Sequence, residues 1–252
     1  MAETKSVGTS IGGAPVSWVA LMGALLGGGS IIPLVYYVEG GGFHSLSYTL
    51  MALVACILGP WGGGAAATIG WFINLFLSPA GSIGQIFDWT GTAVMAGLIV
   101  QKRWKWIWWV PLLGIIIYEI TPWYWPGVVG GPESLPQPFL AFSVWYDALS
   151  LPLLLTVGRH TIADWIKSND NKKMFFGLML LHWTAAEAMH MYGWGIWTGL
   201  YYPIPAYVVA VLEATSVPFE RVILQVVSGI VGVPLLVSLR KSGLRKIPGA
   251  VW

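Results

Sequence analysis

The sequence predicts an all-α, polytopic transmembrane helical bundle of about six to eight spans, with both termini cytoplasmic. Three observations carry that reading. Hydrophobic residues make up 56% of the 252 and charged residues only 10%, against about 25% charge in a soluble domain. Mean hydropathy is +0.70. The basic residues are gathered into clusters separated by long apolar runs, the pattern of a chain that crosses a bilayer repeatedly.

A spanning helix needs about 20 mainly apolar residues. The candidate runs are 16–37, 45–58, 62–78, 84–101, 105–121, 138–158, 174–198 and 204–239. Gly59-Pro60-Trp61-Gly62-Gly63-Gly64 separates the second run from the third and reads as a tight turn between two helices. Pro203, Pro205 and Pro218 divide the last run into a short segment near 204–214 and a span from 218 to 239. The chain reads as one transmembrane domain, 1–252, with a polar N-terminal segment at 1–15 and a basic cytoplasmic tail at 240–252.

With the N-terminus inside, the segments 102–105, 159–173 and the C-terminal tail are also inside. They hold 11 of the 13 Lys and Arg residues, and the outer loops at 38–44, 79–83, 122–137 and 199–203 hold none. This is the positive-inside pattern, and it places the protein in a cell membrane of prokaryotic type, multi-pass. Many of the 16 Trp residues sit at run ends, as in an aromatic belt at headgroup level. The single cysteine, Cys56, excludes an internal disulfide. No phosphate-binding loop, Ser/His/Asp order or Cys-His site is visible, so ATP-driven work has to come from a partner. Nothing points to nucleic acid, and no cofactor is expected.

The acids carry the functional signal. Glu39, Asp88, Glu119, Glu133, Asp147, Glu187, Glu213 and Glu220 fall in outer loops or inside the runs, and Arg221 alone shares that zone as a base. An ionisable residue inside a bilayer is expensive and faces a cavity or a partner. Arg221 pairs with Glu220 or Glu213 in this reading. The other acids are protonated, wet, or in contact with a cation from outside the chain.

Three constellations stand out. His182-Trp183-Thr184-Ala185-Ala186-Glu187-Ala188-Met189-His190 places Glu187 and His190 on one helix face. His182 lies two turns away on roughly the same stripe, and Trp194 follows on the same run. Either this set contacts a ligand, or it is a polar pack between helices, or His182, Glu187 and His190 hold a metal. Next, Glu119 stands close to Trp123, Tyr124 and Trp125, and Asp147 follows Trp145-Tyr146. A carboxylate beside an aromatic wall suits a positively charged group. The third constellation is the small-residue stripe of Ala20, Ala24 and Gly28, which lets another helix approach closely, within the fold or from a partner.

Three segments give the chain a family likeness: Ala20-Leu-Met-Gly-Ala24 with Ile31-Ile-Pro33, Leu58-Gly59-Pro60-Trp61-Gly62-Gly63 leading to Ile69-Gly70-Trp71, and Pro218-Phe-Glu220-Arg221 through Gly232-Val-Pro234 to Arg240-Lys241-Ser-Gly243. In these, under half of its length, the chain resembles the S components of energy-coupling-factor (ECF) vitamin transporters. That family usually has six helices. The resemblance implies a substrate-binding subunit that docks through Ala20, Ala24 and Gly28 on a transmembrane coupling subunit served by ATPases. It also implies lid residues from Glu39 to His44 over a pocket lined by Glu187, His190 and Trp194.

The expected function is therefore uptake of a small solute, cationic or aromatic and vitamin-like, by a membrane-embedded binding subunit that is not an enzyme. The candidate substrate-binding residues are Glu187, His190, Trp194, Trp183, Glu119, Trp125, Asp147, Glu39 and His44. Two alternatives stay open. One is a membrane metalloenzyme or redox subunit using His182, Glu187 and His190, with Asp147. The other is a structural subunit of a larger membrane complex.

Overall fold

The computed structural model describes residues 9–37, 42–78, 81–120, 143–193 and 206–252. Strands β1 (Ser10–Ile11) and β2 (Ala14–Pro15) form a short hairpin that leads into α1 (Val16–Gly29). A second antiparallel hairpin pairs β3 (Pro33–Tyr36) with β4 (Phe43–Ser45) and sets Val35 opposite His44. Then follow α2 (Leu46–Leu77), a π-helical turn (Phe87–Gly91) continuous with α3 (Thr92–Val100), and α4 (Trp109–Ile120). The second half holds α5 (Trp145–Ala148), α6 (Ser150–Leu155), α7 (Thr161–Lys167), α8 (Asn171–Tyr192) and α9 (Ala206–Lys241).

Helix α2 is two arms rather than one rod. Gly59 breaks it with φ 73° and ψ 175°, a left-handed φ that glycine adopts without a Cβ clash. A Cβ on Gly63 would stand 2.7 Å from Ala55 Cα. Eight residues of straight helix would separate the two by about 12 Å, so the chain doubles back here, as the Gly-Pro cluster predicts. Proline at 60 removes an amide, and Val251 N–H donates to the Cys56 carbonyl four residues before it, at 2.9 Å. The Trp252 indole donates to the Ile57 carbonyl at 3.0 Å. The C-terminal residues Ile247, Ala250, Val251 and Trp252 are buried against this turn.

Helix α1 lies on the second arm of α2. Cβ atoms added at Gly23 and Gly27 would come within 2.7 Å of Ile69 and 2.6 Å of Ile73. Ala20, Ala24 and Gly28 are exposed on the opposite side of α1. The small residues thus form two stripes, one packed inside the fold and one facing outward.

The expectation of six to eight spans is not met. Among the described residues only Leu46–Leu77 and Val211–Lys241 are helices long and apolar enough to cross a membrane, and 83% of the apolar window of the first is buried inside the fold. The other apolar runs are realised as shorter pieces. Run 84–101 becomes a five-residue π turn plus nine residues of α3, and the described part of run 138–158 holds helices of four and six residues. Hydropathy counts apolar residues but is blind to where the helix geometry stops. Run 204–239 departs in the other direction. Pro218 and Pro234 lie inside the one helix α9. Proline at 218 cannot bond to the Ala214 carbonyl, and the Trp145 indole donates to that carbonyl at 3.0 Å, so the helix continues.

The basic segments meet at one end of the molecule. Lys102 Nζ is 2.6 Å from Asp164 Oδ1, the Arg159 guanidinium lies 4.6 Å from the Trp104 ring, and Arg240 donates to the carbonyls of Ile166 and Ser168 at 2.6 and 2.8 Å. Along α9, Arg240 is roughly 30 Å from Arg221 by helical rise, so basic end and buried acids are well separated.

The α1–α2 contact gives a paired prediction. Gly27→Val should destabilise the protein by about 1–3 kcal/mol through overpacking against Ile73. Gly28→Val has nothing within 4 Å of its Cβ and should shift stability by about 0.5 kcal/mol or less. Thermal melting of the two neighbours in the same buffer makes the comparison, and equal losses would contradict the close approach.

Candidate functional site

Among the described residues five carboxyl side chains are buried: Asp88, Asp147, Glu187, Glu213 and Glu220. They come from the π turn, α5, α8 and α9. Arg221 is the buried cation among them, and Asp88, Asp147, Glu187 and Glu213 all lie within its electrostatic range. Burial penalises every charged form, and one guanidinium cannot balance five carboxylates. The carboxyls beyond the first are therefore either protonated or matched by a further positive charge.

The pairing within the core is specific. Arg221 Nε stands 3.6 Å from Glu187 Oε2, an ion pair too long for a hydrogen bond. The Arg221 guanidinium lies 4.5 Å from the Tyr48 ring, a cation–π contact that covers its apolar face. His190 Nδ1 bonds Asp147 Oδ1 at 2.8 Å, and Glu213 lies against Asp147. Gln225 donates to the Tyr146 hydroxyl at 2.8 Å. Trp183 stacks on Tyr146 at 4.7 Å and 14° and donates to its carbonyl at 3.3 Å, which fixes α5 on α8.

The second hairpin closes one side of this core. The extended register alternates side chains, and His44 on β4 is buried while Tyr36 on β3 is exposed. His44 Nε2 bonds Glu220 Oε2 at 3.2 Å. A run of rings extends inward from there: Tyr37 to His44 at 4.7 Å, His44 to Tyr48 at 5.1 Å and Tyr48 to His182 at 5.8 Å.

Sequence-based candidates are therefore divided. Asp147, Glu187, His190, Trp183 and His44 converge on the core. Glu119, near the end of α4, is half-buried, and no hydrogen bond or ion pair among the described residues links it to the core. Glu39, Trp125 and Trp194 lie outside the described residues. His182 is buried on α8 but meets Tyr48, eight residues or about 12 Å of helical rise from His190, so the expected His182–Glu187–His190 set is not the one brought together. Asp147, Glu187 and His190 are, with one ligand atom from each inside 4.8 Å of the others. The expected pairing of Arg221 with Glu220 or Glu213 is also corrected. Adjacent residues on a helix point about 100° apart, and Glu220 goes to His44 while Arg221 goes to Glu187. Tyr48 and Gln225 join the core without having been singled out in the sequence, whereas Tyr146 belongs to the acid-and-aromatic constellation. Tyr48 and Gln225 sit in apolar runs, and only Asp147's neighbour Tyr146 carried a sequence signal.

The Arg221–Glu187 pair yields a stability prediction. Arg221→Met should destabilise the protein by about 3–5 kcal/mol, because it strands buried carboxyls. Adding Glu187→Gln should recover part of that loss, with a coupling of about 0.5–3 kcal/mol in a double-mutant cycle measured by denaturant unfolding. Strictly additive losses would contradict the pairing.

No family model matches the chain, and no solved structure matches it. It is 26% identical over 167 residues to a protein of Methanocaldococcus jannaschii named "Uncharacterized protein MJ0923", in a match that takes in 64% of this chain. The chain spans about half the length of that relative, 52%.

Proposed function

We propose that the protein is a membrane-embedded binding subunit for a small cationic solute, coupled to a separate ATP-driven partner. The observation that carries this is the excess of buried acid: five carboxyl groups around one arginine, closed over by a hairpin whose His44 reaches Glu220. Such a core attracts a positive ligand and repels an anion such as a dicarboxylate. Tyr48, Tyr146 and Trp183 supply aromatic faces for an ammonium or a positively charged ring.

A bilayer setting is supported by the apolar side chains that point outward. Leu21 and Leu25 on α1, Phe72 and Phe76 on α2, and Phe219 and Ile230 on α9 are all exposed, and apolar surface on this scale calls for lipid or a partner. The outward stripe of Ala20, Ala24 and Gly28 offers a helix of a coupling subunit a close approach.

Two measurements test the reading. Thiamine, which carries a positively charged ring, should raise the melting temperature of the purified protein. Succinate should not, and Glu187→Gln should abolish the thiamine effect. Ala24→Trp should lose copurification with the membrane partner and ATPases while keeping the thiamine response. Equal responses to thiamine and succinate, or an undiminished partner in Ala24→Trp, would contradict it.

A further inference from the structure

Glu187 and His190 are three residues apart on α8, so both project from one helix face. Asp147 approaches them from the short helix α5. Sites of this kind in helical proteins draw ligands from facing helices, a Glu-x-x-His pair on one and carboxylates on others. Asp147, Glu187 and His190 are exposed by 0%, 0% and 2%.

A second observation concerns what these acids lack. No donor reaches either carboxylate oxygen of Glu187 or Oδ2 of Asp147 in full hydrogen-bond geometry among the described residues, although Gln225 lies beside Glu187 and Asp147 lies against both Glu187 and Glu213. Both oxygens of Glu213, which lies against Asp147, are in the same position. A buried carboxylate without a donor is unfavourable by several kcal/mol. Arg221 at 3.6 Å relieves Glu187 only in part. A positive ion placed among the three donors would satisfy the remaining oxygens together.

We propose that Asp147, Glu187 and His190 form a binding site for a divalent transition-metal ion of the zinc, manganese, iron or cobalt class. The ligand set is two carboxylates and an imidazole, and the nitrogen favours these ions over Mg²⁺ and Ca²⁺, which prefer oxygen alone. Bonds of about 2.0–2.2 Å to each ligand put tetrahedral donors roughly 3.4 Å apart. The observed spread of up to 4.8 Å contracts, and the 2.8 Å contact between His190 Nδ1 and Asp147 Oδ1 opens slightly. Three protein ligands leave a fourth position for water or a bound solute. Glu213 stands behind Asp147 and orients it.

The inference rests on the reading of this core as a cation site and names the class of cation, but it does not depend on a transport partner. The test uses the full-length protein, stripped with a chelator and reloaded with Co²⁺. Elemental analysis should find one ion per chain, and X-ray absorption should show oxygen ligands with one imidazole. Asp147→Asn, Glu187→Gln and His190→Gln should each weaken Co²⁺ binding at least tenfold, Glu213→Gln by about 10–100-fold as an orienting residue, and His182→Gln should keep the ion. A folded wild-type protein that takes up no Co²⁺ would overturn the site. So would a shell without imidazole, or loss of the ion in His182→Gln with retention in Asp147→Asn. The thiamine and partner experiments can fail with this result intact, and the reverse holds too.

Discussion

Arg221 is buried against the Tyr48 ring and within reach of Glu187, Asp88 and Asp147. A guanidinium can be kept out of water only where acids and aromatic faces replace its hydration. The elements around it are arranged to do so. Helix α8 brings Glu187, the first arm of α2 brings Tyr48, and the π turn brings Asp88. The acids outnumber the base, so the core holds carboxyl groups beyond the one that pairs with Arg221. Its neighbour Glu220 is held by His44 from the hairpin, so the same helix that anchors the core also ties down the segment over it.

A second constraint is the backbone at Pro60 and Pro218. In an apolar setting a carbonyl deprived of its helical partner is expensive. At Ala214 the missing donor is replaced by the Trp145 indole, and at Cys56 by the Val251 amide. Both replacements are long-range contacts. The first links α5, which carries Asp147, to α9, which carries Glu213 and Arg221. Proline 218 therefore helps to set the distance between the halves of the polar core.

Parts of this were legible in the residues alone. The reversal at Gly59-Pro60 follows from local backbone chemistry, and the shared face of Glu187 and His190 follows from helical spacing. The grouping of basic segments at one end follows from their clustering along the chain. The number of spanning helices was not legible: run 84–101 yields a helix of only Phe87–Val100, and the described part of run 138–158 is divided into the short helices α5 and α6, although both runs are uniformly apolar. Partner choice was not legible either. Glu220 and Arg221 are neighbours in sequence but face different ways, and the acid that meets Arg221 is 34 positions away on α8. The role of His44 depends on strand register, which sets a buried ring beside Glu220. The exposed face of α1 was readable as a small-residue stripe, but which stripe packs inward depends on Ile69 and Ile73 of α2.

The central claim is that the acid-rich core around Arg221 exists to hold a positive ligand. Native mass spectrometry of the protein, purified without chelator, tests it most directly. The account predicts a folded species heavier than the 27.4 kDa polypeptide by one small cation or cationic molecule, and lost when Glu187 is replaced by Gln. A folded protein at the bare polypeptide mass, before and after incubation with candidate cations, would contradict it.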